Sequence, residues 1–395
     1  MSNEPDRLSD RHERPKQERH VVSHQVENLV TAINKKFGTE KHPAAYRGSE
    51  MPPLVCHHSG SLSLDFALGK GGLPVNRVVE IVGKEGGGKT TLSLLAAKEW
   101  IEAFPDRSVI YFDLEHKLTP EWAAKLMGEE ALSKMILVEP DSIEQMTDIY
   151  REFVPTGEVS MVIVDSIGGA PTSRVMDPDR SAEKANMAGN SQGVSAFARF
   201  AANLSAKYDC LTLGINQMRD NMNPMSFQIN TPGGHAWKHH CVARIQLSPG
   251  KEKYYDDVNG EKIQVGYDIN ARIFKNQISS PYRTANWKFF NQESEKYGPV
   301  GIDTAEECLR LAALVGVFEK KAAWIYHEDF PGGKVNGDKK FRELLDEDPE
   351  LRASIINEVQ FALAHDPNAV SQAVPTIELD DEEALARGLL NAEDA

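Results

Sequence analysis

Residues 83–90 read Gly83-Lys84-Glu85-Gly86-Gly87-Gly88-Lys89-Thr90 and fit the pattern G-x-x-x-x-G-K-[ST]. Glycines at that spacing let backbone N–H groups wrap a chain of phosphates at the start of a helix. Lys89 can then reach the outer phosphate oxygens, and Thr90, followed by Thr91, can offer a hydroxyl to Mg²⁺. A glycine-rich turn without a ligand is the plain alternative. The flanks argue against it, because the apolar run 78–82 (VVEIV) precedes the loop and a helical pattern, 92–103, follows. Such a site needs a second acidic group for the cation. Asp165 closes the apolar run 160–164 (SMVIV), at the carboxyl end of a strand, where open α/β sheets bind ligands. Capping of the next turn by Asp165-Ser166 is its other possible use. Glu115 stands three residues after the run 108–112 (SVIYF), where a carboxylate can orient and deprotonate an attacking water.

These residues must be positioned by alternating strands and helices. Further β-branched runs lie at 210–215 (CLTLGI), 242–247 (VARIQL) and 267–274 (YDINARIF), with helical stretches between several of them. The alternation predicts an α/β fold with a mostly parallel sheet covered by helices. Ahead of it, 26–37 (VENLVTAINKKF) spaces its apolar residues helically and stops at Gly38, a small N-terminal element. From Thr304 the pattern changes to short helices around a Gly- and Lys-rich loop at 331–340, read as a smaller C-terminal domain.

The composition, 41% hydrophobic and 26% charged over 395 residues, is that of a folded protein of two or three domains. No apolar run approaches the roughly 18 residues of a membrane span, and residues 1–20 lack the apolar core of a secretory signal. With Cys56, Cys210, Cys241 and Cys308 far apart, neither a disulfide framework nor a four-thiolate zinc site is expected. The expectation is a cytoplasmic protein with no membrane partner. Net charge is −15, but fourteen acidic residues against three arginines from Phe341 onward hold −11 of it. The remainder is close to neutral and can carry local basic surfaces. Residues 1–24 read as a disordered arm and 375–395 as an acidic disordered tail that competes with nucleic acid.

The chain resembles the bacterial RecA recombinases and their phage relatives of the UvsX type. The resemblance rests on Ser59-Gly60-Ser61-Leu62-Ser63-Leu64-Asp65 and Gly72-Leu73-Pro74, then GKEGGGKTT from Gly83 and FDLEH at 112–116. It continues through VDS at 164–166, INQMR at 215–219 and TPGGHAWK at 231–238, in order. It spans about Val26 to Pro367 and implies a RecA-type P-loop ATPase core at 59–303, an N-terminal polymerisation element at 25–58 and a small α/β duplex-DNA-binding domain at 304–374. It implies ATP and Mg²⁺ as cofactors, Glu115 as catalytic glutamate, Gln217 as sensor of the γ-phosphate and Trp122 as the aromatic stacked on adenine. Trp122 as a core residue is the alternative. DNA-binding loops are implied at 168–189, with Arg174, Arg180 and Lys184, and at 218–234, with Arg219, Phe227, Gly233 and Gly234. Lys334, Lys339 and Lys340, with Arg342, would meet duplex DNA, unless the basic loop is merely solvated. The implied activity is homologous pairing and strand exchange by a helical filament on single-stranded DNA, with DNA-dependent ATP hydrolysis.

Two departures stand out. Thr119 occupies a position where the family usually has Asp, which bears on nucleotide selectivity. Of two family lysines that reach a neighbouring subunit's nucleotide, the first is kept as Lys275 and the second is Gln277. A neutral amide stabilises developing charge less than a cation, so slower hydrolysis or a compensating residue nearby is expected. His235 and His239, at i, i+4, with His240 and Cys241, either hold zinc or belong to the helix after the second loop, with Lys238 and Arg244 near a subunit interface. The rivals are a ring-forming helicase-type motor on the same core and a filament protein that binds ATP without hydrolysing it.

Overall fold

Runs of aliphatic residues wet on neither face form the middle of a nine-stranded sheet in the computed structural model, which describes residues 24–39, 42–169, 171–173, 187–218, 231–258, 260–281 and 283–365. The expected acidic tail and the expected arm except His24, which opens the first helix, lie outside the described residues, as does most of both expected DNA loops. The chain divides into two units, 1–53 and 54–395. In the first, α1 (His24–Phe37) buries none of its residues, and Val26, Leu29 and Phe37 are exposed. Asn34 ties the following segment back to α1: its side chain donates to the Ala45 carbonyl at 2.7 Å and accepts from the Ala45 N–H at 2.8 Å. Arg47 pairs with Glu27 on the same helix.

The second unit opens with β1 (Cys56–His57), α2 (Leu62–Leu68) and β2 (Leu73–Pro74), then alternates β3 (Val78–Gly83), α3 (Lys89–Ala103), β4 (Ser108–Asp113), α4 (Pro120–Met127), α5 (Glu129–Ser133) and β5 (Met135–Val138). It continues with α6 (Ile143–Phe153), β6 (Val159–Asp165), α7 (Met187–Tyr208), β7 (Leu211–Gln217) and α8 (Gly234–His240). Three strands follow, β8 (Ala243–Val258), β9 (Glu261–Asn276) and β10 (Thr284–Phe290), and then the short β11 (Gly301–Ile302). The sheet order is β11-β10-β9-β8-β3-β7-β6-β4-β5, parallel from β8 to β5 and antiparallel from β8 to β11. The sheet is thus mostly parallel, as the alternation predicts. The expected segments 242–247 and 267–274 extend into strands of 16 residues each that pair as one long hairpin. β5 is short, four residues at the sheet edge, while β10 carries the alternation of a half-buried strand, Ala285, Trp287 and Phe289 between Thr284, Asn286 and Lys288, a signal that went unread in the sequence.

Successive residues of a strand feed opposite faces. Val79, Ile81, Val109 and Tyr111 pack with Leu94, Trp100 and Leu126 on one side. Val78, Ile110, Phe112 and Val162 pack with Met146, Phe197 and Trp237 on the other. Among these stands Glu80, fully buried in mid-strand. Its carboxylate accepts from Asn216 Nδ2 at 2.8 Å and Trp237 Nε1 at 3.0 Å, and pairs with Arg244.

The C-terminal segment holds α9 (Thr304–Leu314), a three-stranded sheet of β12 (Glu319–Lys321), β13 (Trp324–Tyr326) and β14 (Lys334–Asn336), then α10 (Asp338–Glu347) and α11 (Pro349–His365). Its apolar cluster, built on Cys308, Leu311, Phe318, Phe341 and Ile355, takes in Leu62 and Phe66 of α2. Glu307 of α9 makes the junction. Its buried carboxylate accepts from the N–H groups of Leu62 and Ser63 at 3.1 and 3.0 Å, from Ser61 Oγ at 2.7 Å and from Ser63 Oγ, satisfying the amino end of α2 from a distant element. Glu307→Ala strands these donors without water, and chemical denaturation should read a loss of about 3 kcal/mol or more. Exposed Glu343→Ala should stay within about 0.5 kcal/mol. Equal effects would refute the junction's importance.

Candidate functional site

The phosphate loop begins where β3 ends. Gly83 packs so closely that an added Cβ would lie 2.6 Å from the Leu247 carbonyl oxygen of β8. Gly86 and Gly88 take φ values of +71° and +83°, the left-handed region that favours glycine, and Gly88 turns the chain into α3. The loop therefore presents its N–H groups around the amino end of α3. Lys89, first in that helix, donates from Nζ to the Lys84 carbonyl at 2.8 Å. Burial pulls its pKa down, against the nearby carboxylates of Asp165 and Glu115.

Three other strand ends converge on this loop. β6 delivers Asp165, whose Oδ2 accepts from Thr90 Oγ1 at 2.9 Å and from Tyr111 OH at 2.8 Å. Burial raises its pKa, while these two hydrogen bonds pull the other way. Beyond β4, the buried Asp113 carboxylate accepts from the N–H groups of Glu115 at 3.2 Å and Leu118 at 3.0 Å. That clamp shapes the turn 113–118, which passes through His116 at φ +52° and sends Glu115 and Lys117 to the same side. The Glu115 carboxylate accepts from Ser166 Oγ at 2.6 Å, pairs with Lys117 Nζ at 2.7 Å and accepts from Gln217 Nε2 at 3.2 Å. Burial raises the Glu115 pKa, yet the bonds from Lys117 and Ser166 outweigh it, so the group lies below the usual carboxylate range. A Cβ on Gly169 would stand 2.9 Å from Glu115 Oε1.

Together these groups line a cavity of about 300 Å³ that also takes in Glu85, Thr91, Trp122 and Tyr267. Trp122 is half-buried, edge-on to Phe289 at 6.4 Å, so it serves the core and the cavity wall at once. Thr119 precedes α4 and makes no side-chain cap. The donor set fits a nucleoside triphosphate with Mg²⁺: backbone N–H groups and Lys89 for phosphates, and an adjacent hydroxyl and carboxylate, Thr90 and Asp165, for a hard cation.

Lys275 is not brought into this cavity. Its Nζ donates to the carbonyls of Lys238 and His239 at 2.9 and 3.0 Å, closing the carboxyl end of α8. Gln277 is exposed, and its N–H donates to the Val242 carbonyl. Gly233 and Gly234, at φ +93° and +74°, open α8. Arg174, Arg180, Lys184, Arg219 and Phe227 lie outside the described residues. Lys334, Lys339 and Lys340 are exposed, Lys334 over the Trp324 ring at 4.7 Å and Lys339 beside Glu343 at 3.8 Å. The zinc reading of 235–241 gains nothing: Cys241 is buried, its thiol turned to the Trp237 carbonyl, while His235 and His239 are exposed. Among the described residues the histidine and carboxylates that do converge are His327, Asp329 and Glu358, in the C-terminal segment. There the Asp329 N–H donates to His327 Nδ1, which leaves Nε2 to donate to Glu358.

Sequence reasoning passed over Lys117, Tyr111 and Tyr267. Lys117 alone had a local signal, its place two residues after Glu115.

Among the described residues, no helix is long and apolar enough to cross a membrane. The RecA N-terminal domain family model matches residues 24–294. Protein RecA of Thermus aquaticus is 31% identical over 334 residues, covering 84% of this chain and 92% of that protein. Protein RecA of Thermus thermophilus is 31% identical over 340 residues, with coverages of 84% and 92%. Protein RecA of Paracoccus denitrificans is 28% identical over 337 residues, with 85% and 89%. The matched span holds the phosphate loop, Glu115, Asp165, Gln217 and Lys275, and the chain belongs to the RecA family.

Proposed function

We propose that this protein is an ATP-dependent recombinase that forms a helical filament on single-stranded DNA and carries out homologous pairing and strand exchange. The observation that carries the reading is the direct bond between Glu115 and Gln217, residues 102 positions apart. It joins a group suited to water activation with the last residue of the strand that runs into 218–234, the expected second DNA loop. A change at the phosphates then reaches that loop through one side chain.

In this account the loop N–H groups and Lys89 bind the phosphates, and Thr90 with Asp165 holds Mg²⁺, which when bound neutralises phosphate charge. Glu115, ionised at neutral pH, accepts the proton of the attacking water. Gly169 leaves the space in which that carboxylate sits, and Ser166 fixes its direction. Gln217 bonds either to Glu115 or to the nucleotide, and the choice sets the position of 218–234. Lys275 and its neighbours on α8 face the site of an adjoining subunit, as the family pattern implies. The exposed apolar residues of α1 suit a heterologous contact, which builds open filaments or rings. Lys334, Lys339 and Lys340 contact duplex phosphates, the two expected loops hold single strands, and the protein works in the cytoplasm with its DNA.

Glu115→Gln should keep triphosphate binding within about threefold and lower DNA-stimulated phosphate release by about 10²- to 10⁴-fold. Release at the parent rate would remove Glu115 from the mechanism. Gln277→Lys should raise turnover by restoring a cation at the subunit boundary, measured as phosphate release on saturating single-stranded DNA. An unchanged rate would mean that the missing charge is supplied elsewhere.

A further inference from the structure

The cavity holds a second cation beside that of the phosphate loop. Of the side chains lining it, two are basic, Lys89 and Lys117, against the carboxylates of Glu85, Glu115 and Asp165. Lys117 extends into it from the turn clamped by Asp113, and its ammonium sits 2.7 Å from Glu115 Oε2. Its side chain is 63% exposed, whereas that of Glu115 is 15% exposed. An ion pair that open contributes little to stability, about 0–1 kcal/mol, so stability does not explain the lysine. A long stem anchored at a shaped turn, with its head in water, can swing without repacking anything.

Geometry decides where it can swing. A base that activates water stands within about 3 Å of that water, and the water within about 3.5 Å of the phosphorus it attacks. A cation touching the base is then within about 9 Å of the transferred phosphorus, a gap that a flexible lysine stem can close. Glu115 offers Lys117 one negative charge. The outer phosphate offers more charge and three acceptor oxygens, so it wins the ammonium when present. Losing Lys117 also frees one lone pair of Glu115 for the water. The neutral Gln277 removes one cation from the expected set, and Lys117 supplies one from the same chain as the base.

We propose that Lys117 is a γ-phosphate ligand of this site, which bonds to Glu115 when the pocket is empty and passes to the nucleoside triphosphate when it binds. The proposal rests on the ATPase reading above and adds a residue to its machinery. The full-length protein and its Lys117→Met, Lys117→Arg and Glu115→Gln variants should be compared by calorimetric binding of ATPγS and of ADP, each with Mg²⁺, and by phosphate release on single-stranded DNA. Lys117→Met should bind ATPγS about tenfold or more weakly and ADP within about threefold of the parent, which also serves as the control for folding, and it should turn over about tenfold or more slowly. Lys117→Arg should recover most of both losses. A Lys117→Met protein with the parent's ATPγS-to-ADP preference and the parent's turnover would overturn the proposal. Glu115→Gln separates the two claims. If it still hydrolyses ATP while Lys117→Met has lost its triphosphate preference, the base assignment fails and the Lys117 proposal stands.

Discussion

A carboxylate buried in the middle of a strand must be satisfied by the protein, and Glu80 sits in that position on the strand that delivers the phosphate loop. Both of its oxygens are met: Oε1 by Asn216 of β7 and Trp237 of α8, and Oε2 by Arg244 of β8. Arg244 also donates to Thr231 Oγ1 at 3.1 Å, and Asn216 to the Pro232 carbonyl at 3.0 Å. One charge thus fixes the spacing of three central strands and holds both edges of the segment 218–234. Breaking such a network leaves an unpaired charge in a dry core, which costs far more than its bonds contribute. The geometry is therefore held as a unit.

The site inherits that order. Asn216 is adjacent to Gln217, so the proposed sensor starts from a residue that cannot shift without exposing Glu80. Trp237 lies against β7 so closely that a Cβ on Gly214 would stand 2.2 Å from its ring, which ties α8 to the same strand. Around this centre the working groups are held by a few side-chain hydrogen bonds. Glu115 has Ser166, Gln217 and Lys117 as partners, and Lys275 closes the end of α8. Rigid strands with exchangeable side-chain bonds at their tips are what a nucleotide-driven switch requires.

Much of this was legible in order of locality. The phosphate loop, Asp165 and the central strands could be read directly, since their signals lie within a few neighbouring residues. The family resemblance implies separate roles for Glu115 and Gln217, but nothing local in the sequence reveals the bond between positions 102 apart. The long β8–β9 hairpin was read as two shorter strands: its outer half carries charged and polar residues such as Lys251, Glu252 and Lys253, which hide an extended backbone. Glu80 gave a signal that went unread, a lone charge inside VVEIV, where burial on both faces demands partners. Lys117 went unread for the opposite reason. A lysine two residues past a glutamate looks like a solvated turn until the Asp113 clamp directs both side chains to one cavity.

The central claim is that nucleotide bound at the phosphate loop governs assembly on DNA through Gln217. The most direct measurement is electron microscopy of the protein on long circular single-stranded DNA, with Mg²⁺ and either a slowly hydrolysed ATP analogue or ADP, scoring contour length against the bare strand. The account predicts continuous, stretched filaments with the analogue and shorter or absent ones with ADP. Isolated rings, or coating that is the same with either nucleotide, would contradict it.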